Sequence, residues 1–279
     1  MRNKIFSVVA VCLSFSVQLS CAQHNTQGNG SPAGGFVKIG QLPGQVKESS
    51  GLAPANQPKT YYTQGDAGTG PVLFKVSTDA KLLETIRLPV SNKDWESLAH
   101  DSNGNLYVCD CGNNSNKRKD LVIYRLNPQN PQQVAEIKFS YPDQNRFPPR
   151  KKKRNFDSEA SFWHNGNVYL FSRDRGRRQT SKVYKVPAEP GSHQAQLLTS
   201  LPVPGEVTGA SLSPNGKRMA LLTKQHIFVY EADTFDGLLK AEPRQLSNNG
   251  AGQTEGVDFL DDNTLLISTE EGGLFTQAL

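Results

Sequence analysis

A strand-rich unit recurs five times along the 279 residues of the chain. Each unit opens on a polar residue that small and apolar residues follow, and the successive intervals between openers are 46, 63, 49 and 47 residues. The openers are Ser50, Glu96, Glu159, Thr208 and Glu255. Units of this length with four short strands are typical of β-propeller blades, which bury their apolar faces against neighbouring blades. The repeat therefore predicts an all-β chain with five blades.

Turn signals inside the units support this prediction. Asn103-Gly104, Asn165-Gly166 and Asn215-Gly216 stand between runs of β-branched and aromatic residues. Because Asn and Gly tolerate a positive φ, these pairs favour tight turns between antiparallel strands. The small residues after each opener allow the first strands of neighbouring blades to lie close together.

The two ends of the repeat array complement each other. The last unit reaches Leu279 before a fourth strand, and a spare strand at 36–39 precedes the first unit. We expect the N-terminal strand to complete the last blade, because this closure hides both edges of the array. A sixth blade would have to come from residues 140–157, within the longest interval. A β-sandwich of the same strands is the alternative fold, but the regular intervals favour the propeller.

The first 22 residues predict a signal peptide. Arg2 and Lys4 precede an apolar run at 5–17, which is too short to span a bilayer as a helix. We therefore expect an exported protein: periplasmic, secreted or an outer-membrane lipoprotein.

Two processing routes remain open at the end of this segment. A peptidase can cleave after Ala22, or lipoprotein processing can leave Cys21 acylated, which would be the protein's contact with a membrane. Residues 23–35 are rich in Gly, Ser and Asn and predict a flexible tether. The propeller domain is expected at 36–279.

Charge and cysteine content limit the partners. The formal net charge is +5, and the predicted signal carries two of the positive residues, so nucleic acid is not indicated. We expect a monomer. Beyond the signal region only Cys109 and Cys111 remain, and the five histidines are not spaced as metal ligands. A zinc site is therefore not indicated. The two thiols are interpreted as packing residues, reduced or locally bridged.

The openers predict a polar site. The first strand of each propeller blade lines the central channel, so the five openers should converge at one mouth. A second polar set closes the second strands, and hairpin geometry should bring it back beside the first. Its members are Asp66, Asp110, Asp174, Lys224 and Glu270.

Crowded carboxylates need a compensating charge. Calcium binds carboxylate and carbonyl oxygens, and its candidate ligands are Glu96, Asp110, Glu159 and Glu255. The alternative interpretation is that these carboxylates cap turns by accepting hydrogen bonds from backbone N–H groups.

Two further features accompany the openers. Asp94 precedes Glu96 by two residues, as Asp157 precedes Glu159, so each pair lies on one face of its strand. Such pairs can divide acid and base roles, share a metal, or bond to adjacent blades. The basic run 150–154 lies in the longest interval, where it is either a solvated loop or a contact for phosphate, acidic glycans or headgroups.

Several motifs resemble a known group of proteins. They are Ser49-Ser50-Gly51-Leu52, Gly65-Asp66-Ala67-Gly68, Asp94-Trp95-Glu96-Ser97-Leu98-Ala99, Asp110-Cys111-Gly112-Asn113-Asn114 and Asn155-Phe156-Asp157-Ser158-Glu159-Ala160. They are similar to exported bacterial propellers related to the phytase-like (esterase-like) and SdiA-regulated families. The likeness covers 45–279 in layout and is specific in the first three blades. It implies an envelope or secreted propeller with calcium in or near the channel. Glu96-Ser97-Leu98 departs from the usual Glu-Gly-Leu.

The leading functional hypothesis is a propeller that binds a ligand, with calcium, at a carboxylate-lined channel mouth. The ligand would be a small molecule, a glycan or a phosphate compound. One alternative is a metal-dependent hydrolase that acts on phosphoesters or lactones, and another is an envelope scaffold for protein interactions. The sequence contains no Gly-x-Ser-x-Gly elbow, P-loop or His-Glu-x-x-His motif, so it does not support serine hydrolysis or nucleotide hydrolysis.

Overall fold

The structure, a computed structural model, describes residues 35–279. The predicted signal peptide 1–22, Cys21 and all but the last residue of the predicted tether lie outside the described residues. Within the described part, no helix is long and apolar enough to cross a membrane.

The described residues form five mainly antiparallel sheets whose innermost strands neighbour one another in a ring. This is a five-bladed β-propeller, as the repeat predicts. Strand β1 (Phe36–Gln41) comes first, blade one consists of β2 (Ala53–Pro54), β3 (Thr60–Gln64), β4 (Val72–Ser77) and β5 (Leu82–Arg87), and blade two contains β6 (Ser97–His100), β7 (Leu106–Asp110), β8 (Val122–Leu126) and β9 (Val134–Ser140).

A 3₁₀ turn (Lys151–Lys153) precedes blade three, which consists of β10 (Ser158–His164), β11 (Asn167–Ser172), β12 (Ser181–Pro187) and β14 (Gln196–Leu201), with β13 (Gly191–Gln194) between the last two in the chain. Blade four consists of β15 (Val207–Leu212), β16 (Arg218–Thr223), β17 (His226–Glu231) and β18 (Arg244–Ser247), with helix α1 (Phe235–Leu238) before its last strand, and blade five contains β19 (Thr254–Asp261), β20 (Thr264–Thr269) and β21 (Gly273–Ala278).

The N-terminal strand closes the ring, as expected. β1 pairs antiparallel with β21, and Phe36 lies opposite Gln277. The Phe36 and Phe275 rings stack with centroids 4.7 Å apart, which adds side-chain packing to the backbone ladder. The last blade therefore has four strands although the chain ends after its third.

The longest interval holds no sixth blade, in agreement with the five-blade prediction, but an edge strand later in the chain was not predicted. Residues 140–157 form no sixth blade; the described residues there contain only the short 3₁₀ turn and connecting loops. Strand β13 adds to the outer edge of blade two by pairing in parallel with β9, so that sheet has five strands. This pairing covers an edge that would otherwise be exposed.

The core lies mainly between neighbouring blades. One apolar cluster joins blades one and two around the fully buried Trp95, and another joins blades two and three around Tyr184. Cys109 and Cys111 are free, buried thiols in the second of these clusters. The inner strands approach closely: the Ser97 and Ser161 hydroxyls are 2.8 Å apart across two blades.

Candidate functional site

Strand register brings the two predicted polar sets together. Each inner strand begins beside the end of the second strand of its blade; for example, the Glu96 N–H donates to the Cys109 carbonyl at 3.0 Å. In blade five, Thr254 lies opposite Thr269, and the Glu270 N–H donates to the Gln253 carbonyl. The openers and the second-strand ends therefore lie at the same end of their blades.

Five carboxylates meet at this end of the channel. They form two trios that share Glu96: Asp66, Asp94 and Glu96 in one, and Glu96, Asp157 and Glu159 in the other. Within each trio one oxygen from every residue lies within 4.8 Å of the others. We call this group of five residues the acidic mouth. Our set of candidate calcium ligands lacked three of them: Asp94, Asp157 and Asp66, which was predicted only as a residue of the polar channel lining.

Trp95 anchors the segment that carries Asp94 and Glu96. Its buried indole donates from Nε1 to the Ser91 carbonyl, and its backbone N–H donates to Asn92 Oδ1, both at 3.0 Å. A side chain fixed at both its backbone and its ring leaves its two sequence neighbours little freedom. The flanking carboxylates are therefore held in place by an apolar residue that faces away from them, into the core.

Gly112 makes space for these carboxylates. Its N–H donates to the Asp94 carbonyl at 3.0 Å, so it lies directly beside the acidic mouth. A Cβ at this position would overlap Glu96 Oε1 and would lie 2.5 Å from Asp94 Oδ2. Only glycine fits here without displacing the two acids.

Burial and mutual repulsion raise the pKa values of the first trio. Burial, followed by the charges of Asp66 and Asp157, raises the pKa of Asp94 to about 6. Burial and the charge of Glu159 hold the pKa of Glu96 well above its usual range. The pKa of Asp66 is also raised, mainly by burial. Among residues 35–279 no cationic side chain forms an ion pair with these three acids.

Two arginines compensate the other carboxylates. Arg175 donates from Nε to Asp157 Oδ2 and from Nη2 to Glu159 Oε1, both at 2.6 Å. Arg173 donates from Nη1 to Glu159 Oε2. Burial and the charge of Asp157 still raise the pKa of Glu159 well above its usual value, but both of its oxygens have a cationic partner. The two arginines therefore largely neutralise the carboxylates of Asp157 and Glu159.

Glu206 completes the arginine cluster, and sequence reasoning missed it. Its Oε1 lies 3.6 Å from Arg173 Nε and 3.8 Å from Arg175 Nη1. It precedes the opener Thr208 by two residues, the same offset that relates Asp94 to Glu96. A search for an acidic residue two positions before each opener would have identified Glu206 in the fourth blade.

Two predicted ligands lie outside both trios. Asp110 pairs with Arg118, whose Nη2 is 2.8 Å from Oδ1, and accepts from the Lys93 N–H. Glu255 accepts from Gln253 Nε2 at 2.9 Å, and the same amide group donates to Glu270 at 2.6 Å. Burial and the charge of Glu270 raise the pKa of Glu255 to about 8.

The remaining predicted residues make structural contacts. Asp174 accepts from the N–H groups of Gly176 and Arg177 at 3.0 Å, so it caps the turn that carries Arg175. The Thr208 hydroxyl donates to the Thr254 carbonyl, and the Ser50 hydroxyl donates to the Glu48 carbonyl. These contacts match the turn-cap interpretation for Asp174.

The opposite end of the inner strands is different in character. A cavity of about 420 Å³ there is lined by His100, His164 and Asp258 among others. His100 Nε2 is 3.7 Å from Asp258 Oδ1, and His164 stacks on Phe235 at 4.8 Å. Burial lowers the pKa of His100, but the Asp258 carboxylate more than offsets this and the pKa is raised overall. The acidic trios are not on this side.

The acidic mouth can hold a metal ion. Its ligands are carboxylate oxygens, which hard divalent cations prefer. The trio Asp66, Asp94 and Glu96 is the better candidate, because Arg173 and Arg175 already occupy the acids of the other side.

Comparison with known proteins identifies the fold and not a family. No family model and no curated protein matches the sequence. A glutaminyl cyclase from Myxococcus xanthus has a TM-score of 0.53 at 10% identity, with 88% of this chain and 95% of that chain covered. A gluconolactonase from Xanthomonas campestris has a TM-score of 0.51 at 13% identity, with 88% and 90% covered. At these identities the similarity shows a shared β-propeller fold alone.

Proposed function

We propose that the acidic mouth binds calcium and that the bound cation holds an oxygen-rich or anionic ligand at the channel opening. The observation that carries this proposal is the position of Glu96. It is buried, it belongs to both trios, and among the described residues it has no ion-pair partner. A buried carboxylate without a partner cation is costly, so either a proton or a metal must neutralise it.

The spacing of the oxygens suits calcium. Two oxygens on opposite sides of one calcium ion lie about 4.8 Å apart, which is twice a bond of about 2.4 Å. The oxygens of Asp66, Asp94 and Glu96 lie within that separation. Three protein carboxylates leave several of calcium's six to eight coordination positions for water and an external ligand, so the site would present an open cation at the channel mouth.

Calcium titration of the metal-free protein tests this proposal. Calcium at about 100 times its Kd should stabilise the folded protein by about 2.7 kcal/mol, which is a rise of about 5–10 °C in the melting temperature. Glu96→Gln keeps the shape of the side chain and removes its charge, so it should abolish the rise. Glu84→Gln, on an exposed position of β5, is the matched control and should respond like the wild type.

A calcium response that Glu96→Gln retains in full would contradict the proposal. Magnesium provides a further comparison, because it requires near-octahedral geometry and gives up its water reluctantly. We expect it to stabilise the protein less than calcium at the same concentration.

Hydrolysis is the second candidate function. It is favoured by the clustered carboxylate oxygens of the acidic mouth, which in each trio lie within 4.8 Å of one another and could hold a metal that activates a water molecule. A phosphoester or a lactone would be the substrate class, in keeping with the phytase-like resemblance of the motifs. Assays on panels of both substrates with calcium present should show activity that Asp94→Asn removes and Glu84→Gln retains. Inactivity on both panels would leave ligand binding as the proposed function.

We propose an envelope or secreted location, on the basis of the predicted signal peptide and Cys21. Fractionation of cells that express the wild type and Cys21→Ser tests the anchor. A shift of the protein from the membrane fraction to the soluble fraction in Cys21→Ser would support acylation. The same distribution for both forms would favour cleavage after Ala22.

A further inference from the structure

A second polar site lies in the loops between blades two and three. Residues 141–157 and the start of β12 enclose a pocket of about 660 Å³. Its charged lining residues are Asp143, Arg146, Arg150, Lys152, Lys153 and Lys182. Five cations and one carboxylate therefore face one cavity.

The charge in this pocket is mostly uncompensated. Lys182 Nζ lies 2.6 Å from Asp143 Oδ2, and this ion pair uses the only carboxylate of the lining. Arg146, Arg150, Lys152 and Lys153 form no ion pair with any residue of the described chain. Four unpaired cations on one concave surface produce a positive potential. The concave shape focuses this potential within the cavity, where it attracts anions.

The basic segment is held against the propeller and is not a free loop. Gly176 packs against the backbone of the 3₁₀ turn so closely that a Cβ there would lie 2.9 Å from the Lys152 carbonyl. At the start of the segment, Gln144 Nε2 donates to the Asn116 carbonyl at 2.9 Å. At its end, the Phe156 N–H donates to Asn116 Oδ1 at 3.1 Å. The cations are therefore presented on a fixed backbone.

The floor of the pocket is aromatic. Phe156 is buried, and Lys182 Nζ lies 3.9 Å from the centre of its ring. This cation–π contact and the bond to Asp143 position the ammonium group at the base of the cavity. A ligand that enters would meet a fixed cation at the base and flexible cations at the rim.

We propose that this pocket binds a phosphate-bearing anion. Phosphate groups carry the compact double charge and the several acceptor oxygens that clustered Arg and Lys side chains bind best. The volume accommodates a phosphorylated small molecule or the headgroup of a phospholipid. The proposal does not depend on calcium in the acidic mouth, because the pocket's own side chains supply the charge.

One loop contacts both the pocket and the acidic mouth. Gly176, which supports the basic turn, directly follows Arg175, which binds Asp157 and Glu159.

Calorimetric titration with inorganic pyrophosphate tests the proposal. The protein is stripped of metal on a chelating resin, since a soluble chelator is itself a polyanion and would compete. The double variant Arg150→Gln/Lys152→Gln should bind pyrophosphate about tenfold more weakly than the wild type, a loss of about 1.4 kcal/mol. Lys59→Gln/Lys81→Gln removes the same charge from exposed positions outside the pocket and is the matched control, which should bind as the wild type does.

Two results would overturn the proposal. One is undiminished binding by the pocket variant; the other is an equal loss in both double variants, which would show that only net charge matters. The Glu96→Gln variant, which lacks the proposed calcium site, should bind pyrophosphate as tightly as the wild type. Loss of binding in that variant would place the anion in the acidic mouth and would also overturn the pocket proposal.

Vesicle flotation distinguishes the source of the phosphate. Phosphatidylcholine vesicles with phosphatidic acid should carry the wild type and not the pocket variant if the ligand is a lipid headgroup. If pyrophosphate binds and these vesicles do not, the ligand is a soluble phosphate compound. Failure of both probes would overturn the proposal.

Discussion

The two sides of the acidic mouth begin from the same motif and are neutralised differently. Blade two supplies Asp94 and Glu96, and blade three supplies Asp157 and Glu159 at the matching positions. In blade three, Arg173 and Arg175 bind both acids. In blade two, the described residues provide no such partner. The same pair of acids is therefore part of a closed ion-pair network in one blade and an open site in the next.

One backbone position accounts for much of this difference. The N–H of Arg173 donates to the Asp157 carbonyl, and the N–H of Gly112 donates to the Asp94 carbonyl in the same way. Where blade three has a long cation that turns back onto Glu159, blade two has no side chain at all. Glycine removes the internal cation and at the same time leaves the space that Asp94 and Glu96 occupy.

We expect the largest loss of stability when the ion-pair network of blade three is broken. Arg175→Gln leaves Asp157, which has no exposed surface, and Glu159 short of a partner. Breaking a buried ion pair from one side costs about 3 kcal/mol, so we expect a loss of that size in chemical denaturation of the metal-free protein. Calcium should recover part of the loss, because the carboxylates that have lost their arginine partner can then bind the ion.

Arg178→Gln is the control for that variant. Its side chain is 70% exposed and reaches only Glu206, at 3.6 Å, so its removal should change the unfolding free energy by less than about 0.5 kcal/mol. Equal stability of Arg175→Gln and Arg178→Gln would show that the arginine cluster does not stabilise the acids of blade three.

Blade five extends the comparison with a neutral partner. Gln253 occupies the position two residues before the opener Glu255 and donates to both Glu255 and Glu270. An amide supplies no charge, so the pKa of Glu255 rises from 4.5 to about 8. The Glu255 carboxyl group therefore binds its proton more tightly in the folded protein than in the unfolded chain.

This shift predicts a dependence of stability on pH. The metal-free wild type should lose on the order of 2 kcal/mol as the pH rises from about 6 to about 8, because ionisation of Glu255 is opposed only in the folded state. Glu255→Gln should flatten that part of the profile and make the protein more stable at pH 8. Denaturation across this pH range is the measurement, and a profile that Glu255→Gln leaves unchanged would assign the dependence to other groups.

The sequence predicted the fold well because the repeat is visible in residue types. The openers and the Asn-Gly turns recur at nearly constant intervals, and the closing strand at Phe36–Gln41 follows from counting strands. The edge strand β13 was not predictable in this way. It pairs with a strand more than 50 residues earlier, and its sequence, Gly191–Gln194, has no β-branched residue.

Most acidic residues of the site were predictable from the sequence, but their arginine and glycine neighbours were not. The opener alignment gathered Glu96 and Glu159, and the strand pairs pointed to Asp94 and Asp157. The roles of Arg173 and Gly112 were hidden, because Arg173 follows Asp157 by 16 residues while Gly112 follows Asp94 by 18. A register shift in the hairpin of blade three, between Ser158 and Ala160, accounts for one residue of this mismatch, and the different hairpin turns account for the other. Charge partners that depend on a bulge cannot be aligned by counting.

The smallest effect on stability should come from the glycine on the open side. Gly112→Ala places a methyl group against Glu96 Oε1 and Asp94 Oδ2, which are the ends of side chains and can rotate away at a cost of about 1 kcal/mol. Their displacement should nevertheless weaken calcium binding at least about tenfold, because the ligand oxygens no longer converge. Gly44→Ala is the matched control, since a Cβ at Gly44 meets nothing within 4 Å. Calorimetric titration of both variants separates the two effects: if Gly112→Ala binds calcium as Gly44→Ala does, the open side of the mouth is not where the ion lies.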